Sequence, residues 1–255
     1  MLKLPEIYHG IRLIEYPEVD STNNICLQLA KSGERERVCV VAYSQTAGRG
    51  RQGRSFYSPA STGVYFSLVY RAGLDVESSL LITPAAACAV ASVLEELSGR
   101  KMGIKWVNDV YCEGKKVCGI LTECRLDFSK NALDYAVIGI GVNLTAPEGG
   151  FIGELESKAG AVFDFKPDAE LRAKVVLKII DRLEEVLSSI SSRGFLEEYR
   201  SRSILTGREV SFQRGGSLIC GTVTGIDDRC RLEVMTAGGT ISLDSGEVSV
   251  KLAGA

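Results

Sequence analysis

The sequence predicts an α+β protein: a mixed β-sheet with helices, followed by a small β-barrel. Three observations carry this expectation. The runs VCVVAYSQ (38–45) and VYFSLVYR (64–71) are continuous and rich in β-branched and aromatic residues, as in buried strands. Residues 167–191 place Leu171, Val175, Val176, Ile179, Ile180, Leu183, Val186, Leu187 and Ile190 on one helical stripe, which reads as core. After Arg202 the texture changes to short alternating runs between Gly-rich turns, about 50 residues suited to an SH3-like barrel. The expected division is 1–203 and 204–255.

Taken in order, IRLIEYPEVD (11–20) reads as a strand. Asp20, Ser21, Thr22 and Asn23 then offer capping side chains for a helix over about 22–32, closed by Gly33. A Gly- and Arg-rich loop separates the two buried strands. Thr83-Pro84 starts a helix that AAACAVASVLEEL carries to Ser98-Gly99, because proline suits the first helical position. Short strands follow: GIKWVNDVYC, a turn at 113–115, KVCGILTEC and DYAVIGIGVNL.

Composition excludes several schemes. The chain has 255 residues, 45% hydrophobic and 24% charged, so neither disorder nor a fibrous design fits. With 30 basic and 32 acidic side chains the net charge is −2, and nothing pulls the whole surface toward nucleic acid or anionic lipid. The single histidine, His9, leaves little for a catalytic triad or a multi-histidine metal site. The eight cysteines contain no C-x-x-C pair, so zinc ribbons are unsupported. Without a secretory signal or a long apolar run the expectation is a cytoplasmic protein. Its cysteines then serve as small core hydrophobes, with structural disulfides as the alternative.

Unpaired positive charge is expected in one segment. From 37 to 74 there are five arginines (37, 49, 51, 54, 71) and no Asp, Glu or Lys. The arginine fork pairs with carboxylate and phosphate, and the interleaved glycines of Gly48-Arg49-Gly50-Arg51-Gln52-Gly53-Arg54 let backbone approach a ligand. An anion-binding loop is the natural reading. Its rivals are a dinucleotide fingerprint, which RSFYSPASTG cannot follow with a helix, a kinase loop lacking its partner motifs, an RNA-binding loop using Phe56, Tyr57 and Tyr65, and a solvated turn whose arginines pair with distant acids.

Two further constellations stand out. In Lys105-Trp106-Val107-Asn108-Asp109-Val110, read as one strand, Lys105, Val107 and Asp109 share one face. Asp109 suits Mg²⁺ and a lysine suits a phosphoryl group, the rival being an exposed edge strand. Gly139-Ile140-Gly141-Val142-Asn143 ends a strand with two glycines and an amide, fitted to a flat ligand.

In order and spacing, Asp20-Ser21-Thr22-Asn23, Gln45, GRGRQGR, KWVNDV, KKVCGIL with Glu123, and GIGVN resemble the biotin protein ligase family across nearly the whole chain. The resemblance implies a class II synthetase-like catalytic domain that activates biotin with ATP to biotinoyl-AMP. It then transfers biotin to a lysine of a biotin carboxyl carrier protein. It further implies that Ser21, Thr22 and Gln45 bind the ureido ring. Asn23, Gly48, Arg49 and Gly119 would line biotin. Arg51 and Lys116 would be catalytic and touch both biotin and the adenylate, with Arg54, Phe56, Asn108 and Asn143 on the ATP side and Asp109 at Mg²⁺. Phe56 stands where the family usually has Trp, and Val107 where it usually has Pro. No covalent enzyme intermediate is expected, the loop is expected to close over the adenylate, and a homodimer through sheet edges is implied.

A lipoate protein ligase is the nearest alternative, followed by a nucleic-acid-binding module. Family members that repress transcription carry a DNA-binding segment of roughly 60 residues ahead of the catalytic part. Only 20 residues precede Ser21, so no DNA partner is expected.

Overall fold

A computed structural model describes residues 2–34, 36–244, 246 and 248–250. The elements are β1 (Ile7–Tyr8), β2 (Ile11–Val19), α1 (Thr22–Lys31), β3 (Arg37–Gln45), β4 (Gly63–Tyr70), α2 (Val76–Leu80), α3 (Ile82–Ser98), β5 (Met102–Lys105), β6 (Asp109–Cys112), β7 (Lys115–Asp127) and β8 (Ala132–Asn143). Then come α4 (Leu155–Lys158), α5 (Ala169–Ser188), α6 (Leu196–Ser201), β9 (Glu209–Arg214), β10 (Ser217–Ile226), β11 (Leu232–Thr236), β12 (Gly239–Leu243) and β13 (Ser249–Val250).

The first eight strands form one sheet in the order β1-β2-β3-β4-β8-β7-β6-β5. Only β2 and β3 run parallel, joined by α1 as a crossover, and the other pairs are antiparallel. This is the expected mixed sheet. Its central strand β4 is buried at every residue, which explains the unbroken hydrophobic run. One face packs under α3 and α5 through Phe66, Leu68, Ile138, Ile140, Val175 and Ile179. The other carries α1 over Val38, Val40, Val69 and Val137. Fully burying a side chain of this size stabilises by roughly 1.5–3 kcal/mol, so the two layers hold the sheet rigidly.

The last five strands form a second antiparallel sheet, β12-β11-β10-β9-β13. This is the small C-terminal β-domain, and its outer strands are not bonded to each other among the described residues. Residues 251–255, the end of its last expected run, lie outside the described residues. Its apolar side, with Val210, Phe212, Val223, Leu232 and Val234, belongs to the same buried cluster as α3 and α5.

Two expectations change. The stretch 102–112 is a hairpin in which Lys105 pairs with Asp109, and residues 106–108 form its turn. Alternation across Lys105, Val107 and Asp109 therefore does not hold. Tertiary bonds fix this turn in the absence of Gly or Pro: Trp106 Nε1 donates to Cys230 O (2.8 Å), Tyr199 Oη to Val107 O (3.0 Å), and Asn108 Nδ2 to Ile120 O (2.9 Å). The Trp106–Val107 peptide is cis. Second, α3 begins at Ile82 after the short α2, so Pro84 sits at the third position. Backbone N–H groups there have no intrahelical acceptor, and nothing is lost by proline.

All eight cysteines are free thiols and six are buried, as expected of core hydrophobes. Burial pushes Cys26 and Cys230 up to about 12. Cys124 and Cys220 are exposed, and desolvation also raises Cys124. An aromatic disulfide reagent at pH 8 is therefore expected to modify two thiols in the folded protein, Cys220 before Cys124, and eight after denaturation. Rapid modification of a third thiol before unfolding would contradict the packing.

Candidate active site

The site lies on the α1 face of the sheet, where β4, β8 and β7 run side by side. Their register places Tyr65 opposite Gly141 and Ser67 opposite Gly139, and pairs Gly141 with Gly119 and Gly139 with Leu121. Alternation then brings Tyr65, Ser67, Gly139, Gly141, Gly119, Leu121 and Glu123 to one surface. The three glycines make it a recess. A Cβ at 139 would run into the Asn23 amide and one at 141 into the Phe56 ring, while one at 119 would crowd the Phe56 ring and the Lys116 side chain.

At the inner end is a polar network. Ser21 is the N-cap of α1 without a side-chain cap bond, and the next two side chains serve the site instead. Gln45 Oε1 accepts from Thr22 N (2.9 Å) and Thr22 Oγ1 (3.2 Å), while Gln45 Nε2 donates to Ser58 Oγ (2.8 Å). Ser67 Oγ lies 2.7 Å from Thr22 Oγ1 and donates to Asn23 Oδ1 (2.6 Å). Asn23 Nδ2 donates to Glu123 Oε2 (2.9 Å), whose carboxylate also takes the Arg49 fork at 2.8 Å on each oxygen. Such donors and acceptors, held by burial, suit a planar polar ring.

The outer end is cationic. Arg51 Nη1 donates to Asn108 Oδ1 (3.1 Å), a neutral amide. Lys116 Nζ lies 2.7 Å from Asp109 Oδ1 and 5.9 Å from the centre of the Phe56 ring. A cavity of about 120 Å³ is lined here by Arg51, Arg54, Phe56, Asn108, Asp109 and Lys116. Beside it a second of about 110 Å³, bounded by Phe56, Tyr57, Asn143, Phe151, Leu155 and Lys158, is mainly apolar. The inner pocket between Thr22, Asn23, Gln45, Arg49, Phe56 and the glycines holds about 20 Å³. Phe56 borders all three.

The model of the biotin/lipoate A/B protein ligase family matches residues 16–143, and that of the biotin protein ligase C-terminal domain matches 205–251. The bifunctional ligase/repressor BirA of Bacillus subtilis is 30% identical over 244 residues, covering 94% of this chain and 74% of the relative. The chain belongs to the biotin protein ligase family. The biotin--[acetyl-CoA-carboxylase] ligase of Mycobacterium tuberculosis is 30% identical over 240 residues, covering 91% of this chain and 86% of that one. Among solved structures, the biotin protein ligase from Aquifex aeolicus in complex with biotin and ATP matches with a TM-score of 0.76 and 27% identity, covering 96% of this chain and all of that one.

Every expected site residue except Gly48 borders one of these adjoining cavities. Thr22, Asn23, Gln45, Arg49 and Gly119 meet at the inner end with Ser21, Arg51, Arg54, Asn108, Asp109 and Lys116 gather at the outer end, and Asn143 reaches the apolar side. Gly48 is buried where the loop turns back on Phe56. The expectation of unpaired arginines is corrected: Arg37 pairs with Glu184, Arg49 with Glu123 and Arg71 with Asp134. Freedom from acid along the sequence is not freedom from acid in space. Sequence reasoning missed Ser67, Ser58, Phe151 and Leu155. Ser67 alone left a signal, as the one polar residue inside a wholly buried strand.

Among the described residues no three His, Cys, Asp or Glu side chains cluster as a metal site. Asp109 Oδ1 is nonetheless a buried carboxylate oxygen with no hydrogen bond, the Lys116 ammonium approaching it outside hydrogen-bond geometry. One carboxylate fits Mg²⁺ that arrives on nucleotide phosphates, since that ion keeps waters and takes one or two protein carboxylates.

Proposed function

We propose that this protein activates biotin with ATP and transfers it to a lysine of a biotin carboxyl carrier protein. The observation that supports it best is the continuous seam from the Thr22–Gln45 polar network, across the glycine recess, to Arg51 and Lys116. It matches a substrate with a polar ring at one end and a carboxylate at the other. In this reading Ser21, Thr22 and Gln45 hold the ureido ring, and Asn23, Gly48, Arg49 and Gly119 flank the rest. Arg54, Phe56, Asn108 and Asn143 serve the nucleotide.

A carboxylate oxygen of biotin attacks the α-phosphorus, forming the acyl phosphate bond as the bond to pyrophosphate breaks. Arg51 and Lys116 align the two anions and stabilise the charge that develops between them. Mg²⁺, held through Asp109 and the phosphates, would supply neutralising charge. In the second step the neutral amine of the acceptor lysine attacks the acyl carbon, AMP leaves, and the amine proton passes to solvent. The catalytic unit in this reading spans 1–203 and the C-terminal unit 204–255, and the protein works as a homodimer. No helix of the described residues is long and apolar enough to cross a membrane.

Pyrophosphate release measured with biotin, and separately with lipoate, each with ATP and Mg²⁺, tests the function. Release with biotin, followed by label transfer to a carrier domain, is expected. Release with lipoate alone would move the protein to the lipoate branch, and none with either would remove the reading.

A further inference from the structure

Glu123 has no role in the chemistry above, yet its carboxylate takes three hydrogen bonds from two residues of the site. Arg49 binds both oxygens, and Asn23 Nδ2 binds one of them. Arg49 Nη1 also donates to Asn24 Oδ1 (3.0 Å), the neighbouring residue in the first turn of α1. Three separate pieces of chain are thereby tied together: the 48–54 loop, the first turn of α1, and β7. Asn23 is itself fixed from below, because it rests on Gly139 and accepts from Ser67 on β4.

The two inner loop arginines are thus treated differently. Arg49 is neutralised by a carboxylate that is only 26% exposed, while Arg51 meets the neutral amide of Asn108. A parallel fork-to-carboxylate pair fixes direction as well as distance. We propose that Glu123 is a positioning residue: it pins the arginine loop to the sheet through Arg49, withdraws that charge from the pocket, and so sets the width of the acid-substrate slot and leaves Arg51 to meet the anion. The inference rests on the proposed function for its substrate, and on the geometry alone for the loop.

Glu123→Gln preserves the shape but turns one accepting oxygen into a donor facing a guanidinium. Two measurements read the effect. In the ligand-free protein, limited trypsin cleavage within 49–54 is expected to speed up about fivefold or more, with global unfolding by denaturant nearly unchanged, as for a local opening. In the biotin-dependent pyrophosphate assay, KM for biotin is expected to rise about tenfold while kcat stays within about threefold, the split expected when positioning for binding is lost. Arg49→Ala should raise KM similarly, and the double variant should be no worse than either single one, because both remove one coupled unit. Exchanging the pair, Arg49→Glu with Glu123→Arg, should restore slow cleavage.

Cleavage in Glu123→Gln within about twofold of the parent would overturn the proposal, as would a double variant whose KM change is the product of the single changes. A parent without biotin-dependent turnover would count against the proposed function, and the cleavage rates would still decide the role of Glu123.

Discussion

Lys116→Ala is expected to slow biotin-dependent pyrophosphate release by about 10²–10³-fold in kcat, the range seen when one preorganised donor to a developing anion is removed. Lys116 lies near the start of β7, within reach of both the cationic cavity and the apolar one. Its ion pair with Asp109 is partly exposed, with side chains 31% and 22% accessible, so folding stability should change by only about 1 kcal/mol or less. The decisive comparison is therefore kinetic against thermodynamic. A variant that melts like the parent and turns over like the parent would remove Lys116 from the chemistry, and Lys116→Arg separates charge from shape, since a planar fork cannot replace a compact ammonium.

Trp106→Ala should be the most destabilising single change, by about 3–5 kcal/mol. The ring is 5% exposed at the tip of the β5–β6 hairpin, and its Nε1–H satisfies a carbonyl in the C-terminal sheet domain. Truncation leaves a cavity at the junction of the two sheets and an unpaired carbonyl beneath it. Trp106→Phe keeps most of the packing and loses the hydrogen bond, worth about 1 kcal/mol. Urea unfolding followed by far-ultraviolet circular dichroism measures both, since Trp106 is the sole tryptophan and its fluorescence vanishes with it. An alanine variant within about 1 kcal/mol of the parent would show that the two sheets do not depend on this contact.

Much of the molecule was legible because burial and local pattern agree. The buried strands at 37–45 and 63–70 and the helix at 169–188 appear within three residues of their expected bounds. The site was legible because its residues had to be odd: lysine, asparagine and aspartate within an apolar run, and arginines between glycines. What escaped depends on contacts distant in sequence. The turn at 106–108 is held by Cys230, Tyr199 and Ile120, none of which a local reading can supply. The pairing of Arg49 with Glu123 spans 74 positions, so the loop looked uncompensated. Phe151 and Leu155 belong to a segment whose composition is that of an ordinary loop.

The ring of Phe56 lies across Gly119 and Gly141 and borders all three cavities, and the innermost of them has room for about one water molecule. Any larger guest must find the ring turned aside. The recess thus carries its own competitor, tethered and always present, and measured affinity is the intrinsic affinity scaled by the fraction of time the competitor is elsewhere. If that fraction were about 1%, binding would weaken about a hundredfold with no contact to the guest altered. Substituting the ring with a smaller side chain then pulls two ways, admitting the first guest more readily while giving the second less to rest upon.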